Sequence, residues 1–363
     1  MSNYSRREFL SKATAGAVLL SAVPAMAKPY QGKKLRVALV GLGYYAEHKL
    51  APGLAESKYC ELAGIVTGTP SKVDKWKSKY NIPDKNIYNY ENFDKIADNK
   101  DIDCIYVVTP NSMHKDLVIR GAKAGKHCIT EKPMALNAKE AQEMIDACKK
   151  ANVRLFVGYR LHFEPFSLAV RAFGKDTAAN GKVKVIETAD GFKIGDPTQW
   201  RLKKALAGGG AMFDVGIYAI QGARYVSGED PIAVTAQEYK TDPVKFKEVD
   251  ETIFWQMEFP SGAVSNSVTT YASNTERLYA STDNGSWIEL RPAYGYGPLA
   301  GKTNKGPLDL PHTNHQALQF DGMGQAILEN KEITATGEEG LKDMKIIDAI
   351  YRSIKSGKKE KIV

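Results

Sequence analysis

Residues 35–46 constrain the fold more than any other stretch: the apolar run Leu35 to Val40 leads directly into Gly41-Leu42-Gly43-Tyr44-Tyr45-Ala46, and a helix-compatible segment follows. A short strand, a GxGxxA turn and a helix, in that order, predict the loop on which a dinucleotide pyrophosphate sits. Gly41 would make the tight turn, Gly43 would let backbone approach the phosphates, and Tyr44 and Tyr45 would open a helix whose unpaired N–H groups face the anion. Ala46 stands where a third glycine often lets helix pack on strand. Alone, the motif also fits a purely structural glycine turn, so the segments after it decide.

Those segments alternate. Cys60 to Thr67, Asp103 to Thr109, His127 to Thr130 and Arg154 to Tyr159 read as strands, and Ser71 to Tyr80, Ser112 to Ala124 and Ala138 to Ala151 as helices. Alternation of this kind predicts a parallel sheet with right-handed crossovers. A length of 363 residues exceeds what one core usually organises, and beyond Lys182 the pattern changes to longer β-branched and aromatic strands. These are Val183 to Gly191, Ile232 to Lys240, Thr252 to Phe259, Ala263 to Tyr271, Arg277 to Ser281 and Ser286 to Leu290. The expected fold class is α/β: an N-terminal Rossmann dinucleotide-binding domain over residues 28–158, then an α+β domain over 159–363 with a large, mostly antiparallel open sheet for substrate binding and oligomerisation. Two final helices, Asn314 to Asn330 and Glu338 to Ser356, are expected to return to the first domain.

Residues 1–27 read as a leader rather than as fold. Arg6 and Arg7 precede a mildly apolar stretch, Ala13 to Ala22, and Ala25-Met26-Ala27 offers a small-x-small cleavage site. This pattern predicts a twin-arginine export signal and a periplasmic mature protein. The alternative, a membrane anchor, is opposed by Gly16, Ser21 and Pro24 and by a run short of the ~20 residues a span needs. Part of the formal charge of +8 belongs to this leader, and the remaining basic residues are dispersed among 42 acidic ones, which argues against a nucleic-acid surface. Cys60, Cys104, Cys128 and Cys148 form no CxxC pair, so buried free thiols are expected and no metal site is.

The end of the second strand bears on the cofactor. NAD enzymes usually carry a carboxylate there for the ribose 2′-hydroxyl. This chain has Thr67-Gly68-Thr69-Pro70-Ser71-Lys72, two hydroxyls and a lysine suited to a 2′-phosphate, so NADP is expected, with NAD as the alternative. Lys72 could instead be a solvated helix residue.

Thr130-Glu131-Lys132-Pro133-Met134-Ala135, just past a strand end, resembles the glucose-fructose oxidoreductase, inositol dehydrogenase and MocA (Gfo/Idh/MocA) family, and within it the glucose-fructose oxidoreductase branch. Thr109-Pro110-Asn111-Ser112-Met113-His114, Gly158-Tyr159-Arg160-Leu161-His162, Gln199-Trp200-Arg201-Leu202 and the segment Gly208 through Tyr218 extend the resemblance. It implies that Lys132 hydrogen-bonds the reacting sugar hydroxyl, that Asp214 orients it, and that Tyr218 is the general acid/base, where many members have histidine. The spacing of four between Asp214 and Tyr218 independently puts both on one helical face, although a packed tyrosine and a helix-start aspartate have the same spacing. A tyrosine, with an ordinary pKa near ~10, needs a neighbouring cation to act as a base near neutrality, and Lys132 would supply it. Thr109, Pro110, Asn111, His114, Glu131, Lys132 itself, Trp200 and Arg201 are further cofactor candidates, and Tyr159, Arg160, His162 and Tyr296 candidates for the sugar pocket.

The implied activity is a sugar oxidoreductase with tightly held NADP, oxidising an aldose at C1 to its lactone and reducing a second sugar. The alternative is an NAD(P)-dependent glycoside hydrolase acting by transient C3 oxidation and elimination. A homodimer or homotetramer through the C-terminal sheet is expected, but the arm that clasps neighbouring subunits in the glucose-fructose oxidoreductase branch has only residues 28–34 in its place here.

Overall fold

The apolar run ahead of the glycine motif is β1 (Leu35–Val40), in which Val37, Ala38, Leu39 and Val40 are inaccessible to solvent. A strand buried this completely needs cover on both faces, which parallel sheets obtain from crossover helices. It lies centrally among β2 (Cys60–Val66), β3 (Ile87–Tyr88), β4 (Cys104–Val107), β5 (His127–Thr130) and β6 (Leu155–Val157), in the order β3-β2-β1-β4-β5-β6. All five pairings are parallel. Chain order reverses between β1 and β4, so their carboxyl ends diverge into the crevice where such sheets take ligands. The computed structural model describes residues 32–363, with Lys34–Val363 forming one unit. The leader expected over residues 1–27 lies outside the described residues.

The second sheet holds β7 (Val183–Gly191), β8 (Ala233–Tyr239), β9 (Thr252–Glu258), β10 (Val264–Thr270), β11 (Thr275–Thr282), β12 (Trp287–Leu290), β13 (Gly301–Thr303), β14 (Gly306–Pro307) and β15 (Glu360–Lys361). Its order is β14-β13-β12-β11-β7-β10-β9-β8-β15, and only β7 and β10 pair in parallel. One face is covered by the helices Pro165–Lys175, Ile217–Ser227 and Gly337–Ser356. Trp255 of β9 is 1% exposed there, and burying a side chain of that size contributes about 2–3 kcal/mol. The other face leaves Val185, Phe254 and Val264 roughly half exposed.

The last two helices pack on the Rossmann sheet's cover. His315–Leu328 presses on Ala51–Glu56 so closely that a Cβ on Gly53 would lie 2.6 Å from Gln316 Cβ. Gly337–Ser356 lies against Ala138–Lys150. Both helices that carry motif residues begin with a π-helical turn, Ala46–Leu50 after the glycine loop and Met212–Gly216 before Ile217–Ser227.

Candidate active site

Three strand ends build one wall of a cleft of about 810 Å³. The chain leaves β1 through Gly41, whose φ of 101° and whose 2.9 Å gap between a built Cβ and Val108 O admit only glycine. The first helical bond beyond it runs from Glu47 N–H to Gly43 O, so the N–H groups of the first turn have no helical acceptor. Tyr44 and Tyr45 line the cleft beside them, and Tyr44 is 74% exposed. Thr67, Thr69 and Lys72 line the β2 end, where Lys72 Nζ donates to Leu42 O at 2.7 Å, fixing the ammonium against the glycine loop. Thr109, Pro110 and Asn111 line the β4 end, and Thr109 Oγ1 is buried there without a hydrogen-bond partner among the described residues.

Trp200 and Arg201 face this wall from a strap that Asn111 ties down, its Nδ2 donating to Ala207 O at 2.8 Å. The strap enters the Asp214 turn through Gly208-Gly209-Gly210, and a Cβ on Gly210 would stand 1.9 Å from Asp250 O. The Asp250 carboxylate accepts from Gly210 N at 2.6 Å and Met212 N at 2.8 Å, which sets where Asp214 and Tyr218 emerge. An open glycine-rich turn, helix-start donors, an orphaned hydroxyl and a covering tryptophan fit a dinucleotide. Among the described residues the carboxylates lining the cleft are Glu131 and Asp214, and Glu131 follows β5, three strands across the sheet from the β2 end that carries Lys72.

A second cavity, of about 960 Å³, meets the cleft at Lys132, Arg201, Asp214 and Tyr296, which line both. Tyr218 and Arg160 line the second cavity behind them. Lys132 Nζ donates to Asp214 O, lies 3.5 Å from Asp214 Oδ1 and is 4.6 Å from the centre of the Tyr218 ring. The π-helical turn therefore does not separate the pair that a spacing of four had placed on one face; both converge on one ammonium. Burial alone would discharge Lys132, but Tyr218, Asp214 and Glu131 outweigh it and hold its pKa above the ordinary value. Burial likewise pushes Asp214 up, and Arg201 and Lys132 reverse this, holding it below the usual carboxylate range. Arg201 Nε at 2.9 Å and Tyr271 OH at 3.0 Å complete the Asp214 shell. Burial raises the Glu131 carboxyl, which accepts from Tyr106 OH at 2.6 Å and from Lys132 N at 3.1 Å.

Several expected residues take other roles. Arg160 reaches the cavity, with Cζ 5.1 Å from the Tyr218 ring and 4.2 Å from the Tyr296 ring. Its Nη atoms are committed to Tyr294 O, Gly295 O and His315 Nδ1, and its buried Nε has no hydrogen-bond partner among the described residues. Tyr159 and His162 line neither cavity: they stack on each other at 5.3 Å, and His162 Nδ1 is 2.7 Å from Thr334 Oγ1. The intervening 3₁₀ turn, Arg160–His162, advances side chains by about a third of a turn each, so Arg160 faces the cavity while its neighbours face the core. His114 is fully buried, its ring 3.0 Å from both Thr109 O and Pro133 O, so it ties two loops together rather than lining the cleft. Gly68 and Ser71 also stand off the cleft lining; a Cβ on Gly68 would meet Tyr90 at 2.8 Å, and Tyr90 lines the cleft in its place. Tyr90, Asp190 and Tyr271 escaped the sequence reading. Among the described residues the four cysteines are buried and free, no cluster of three or more metal-ligating side chains occurs, and no helix is long and apolar enough to cross a membrane.

Comparison with known proteins places the fold in a family. Residues 35–159 match the oxidoreductase family with an NAD-binding Rossmann fold, and residues 176–288 match the GFO/IDH/MocA C-terminal domain. A crystal structure of aldose-aldose oxidoreductase from Caulobacter crescentus, complexed with glycerol, is 42% identical, with a TM-score of 0.87 over 91% of this chain and 100% of that one. D-xylose 1-dehydrogenase [NADP(+)] of Haloarcula marismortui is 26% identical over 332 residues, 88% of this chain and 91% of that protein. Trans-1,2-dihydrobenzene-1,2-diol dehydrogenase of Xenopus laevis is 29% identical over 292 residues, 79% of this chain and 84% of that protein. The chain belongs to the GFO/IDH/MocA family of oxidoreductases.

Proposed function

We propose that this protein is an exported sugar oxidoreductase that keeps NADP bound, oxidises an aldose at C1 to its lactone and reduces a second sugar in the same pocket. The observation that carries this reading is the junction of the two cavities at Lys132, Arg201, Asp214 and Tyr296, with Tyr218 in reach of Lys132. Support for the sugar comes from the aldose-aldose oxidoreductase likeness. NADP rather than NAD is favoured by Thr67, Thr69 and Lys72 in a stretch of cleft without a carboxylate, and by the NADP-dependent xylose dehydrogenase.

When bound, the nicotinamide ring supplies the hydride acceptor for the first half-reaction and the donor for the second. Tyr218 takes the proton of the sugar hydroxyl as that carbon is oxidised and returns one when the second sugar is reduced. Lys132 polarises the reacting oxygen and stabilises negative charge on it and on the Tyr218 oxygen. Asp214, anchored by Arg201 and Tyr271, holds the ammonium in place.

The twin-arginine leader motivates retention of the nucleotide: outside the cytoplasm no soluble NADP pool would restore it, so the second sugar must. Assembly through the outer face of the nine-stranded sheet, as a homodimer or homotetramer, would cover Val185, Phe254 and Val264. The test is to purify the protein, release its nucleotide by denaturation and identify it, and to record the reduced-nicotinamide absorbance before and after a panel of aldoses. Bound NADP that an aldose reduces supports the reading; nucleotide-free protein, or bound nucleotide that no aldose reduces, removes it.

A further inference from the structure

Asp190 is the most anomalous group of the second cavity. It projects inward from β7, lines the cavity and is 8% exposed, yet among the described residues no hydrogen bond or ion pair involves its carboxyl. Its cross-strand neighbours are Thr269 on β10 and Glu276 on β11. Carboxyls directly opposite on one sheet face lie close enough to repel. Glu276 is already committed, its Oε1 accepting from Tyr294 N and from Gly295 N at 2.5 Å. Burial foremost, then Glu276 and Asp214, lift the Asp190 carboxyl well above the usual range against the pull of Lys132 and Arg160. In its acid form the group offers one donor and one acceptor to whatever fills the cavity. As a structural element it makes no sense, because an unpartnered buried carboxyl beside a second one destabilises the fold. Such groups are retained where a ligand completes them.

We propose that Asp190 is a specificity-determining residue: its carboxyl hydrogen-bonds a hydroxyl of the bound sugar other than the one on which Lys132 and Tyr218 act, and so selects neutral polyhydroxylated substrates by their configuration there. This rests on the sugar reading above, and the cavity's committed groups leave it the part to play. Lys132 and Tyr218 serve the reacting hydroxyl, Asp214 and Arg201 hold each other, and Arg160 spends its Nη atoms on backbone and His315 with its Nε left over, so among the described residues of the cavity Asp190 is a buried carboxyl left open to a further hydroxyl.

The test uses the holoenzyme with oxidised nucleotide and measures kcat and KM for the best aldose and for its monodeoxy derivatives, in the wild type, Asp190→Asn and Asp190→Ala. For one monodeoxy sugar the wild type should lose about ten- to a hundredfold in kcat/KM, mostly through KM. Asp190→Ala should lose a similar factor on the parent sugar and then treat the parent and that deoxy sugar alike, within about threefold. Asp190→Asn, which still donates and accepts, should recover part of the discrimination, and both variants should melt no lower than the wild type. If Asp190→Ala keeps the wild-type ranking of every deoxy sugar, or if an amino sugar is preferred through Asp190 as a counter-ion, the assignment is overturned while the sugar reading stands. If no aldose reduces the nucleotide in the wild type, the sugar reading and the Asp190 assignment fall together.

Discussion

Replacing Lys132 by methionine separates catalysis from folding, because the lysine's neighbours are partnered without it. Its side chain is 9% exposed, and its loss leaves Asp214 still held by Arg201 at 2.9 Å and Tyr271 at 3.0 Å. No carboxylate is stranded, so the fold should lose about 1–3 kcal/mol rather than the larger penalty of an uncompensated buried charge. The ammonium stands 4.6 Å from the centre of the Tyr218 ring. Charge developing on the phenolic and sugar oxygens at a comparable separation interacts with it by about 3–4 kcal/mol at an effective dielectric near 20. Lys132→Met should therefore slow hydride transfer by a few hundredfold. The assay is a stopped-flow single turnover: enzyme loaded with oxidised nucleotide, mixed with saturating aldose, followed at the reduced-nicotinamide band. Nucleotide affinity should change by less than about tenfold, since the β1 and β2 ends of the cleft are untouched. A folded, nucleotide-loaded Lys132→Met enzyme reacting within tenfold of wild type would refute the electrostatic role.

Two further outcomes follow from the same geometry. Asp190→Asn should raise the melting temperature at neutral pH, with the gain shrinking as pH falls toward 4. The folded-state pKa of Asp190 is raised by burial, Glu276 and Asp214 against Lys132 and Arg160, so between the unfolded pKa near ~3.9 and the folded one the unfolded chain alone sheds the proton and the native state is disfavoured. Melting curves of both proteins across pH check this, and equal curves would contradict it. Lys72→Glu should weaken NADP by about tenfold or more and NAD by less than about threefold, as titration of nucleotide into the stripped protein would show.

What the sequence made legible follows from how locally each feature is determined. Gly41 could be read because the turn at the end of β1 tolerates no Cβ, a constraint written in one residue. Lys132 could be read because it closely follows the end of β5, next to the β4 strand that borders the switch point. Tyr159 and His162 misled because adjacency to Arg160 in sequence is not adjacency in a 3₁₀ turn. The helix Pro165–Lys175 was missed although its start is signalled, by Pro165 at its first position and by the Glu164 carboxylate accepting from Phe166 N and Ser167 N. Asp190 was unreadable for a different reason. Alternation shows that it shares a face with Ile186 and Thr188, but which face meets the cavity depends on where Ile217–Ser227 packs.

The central claim is that one bound nucleotide carries hydride between two sugars. An aldose deuterated at C1, incubated with the purified protein, a second sugar and excess unlabelled free NADP, tests it most directly by mass spectrometry of the products. The account predicts one deuterium in the reduced sugar and none in the free nucleotide. Deuterium accumulating in free reduced NADP, with the second sugar unlabelled, would identify an ordinary dehydrogenase and contradict it.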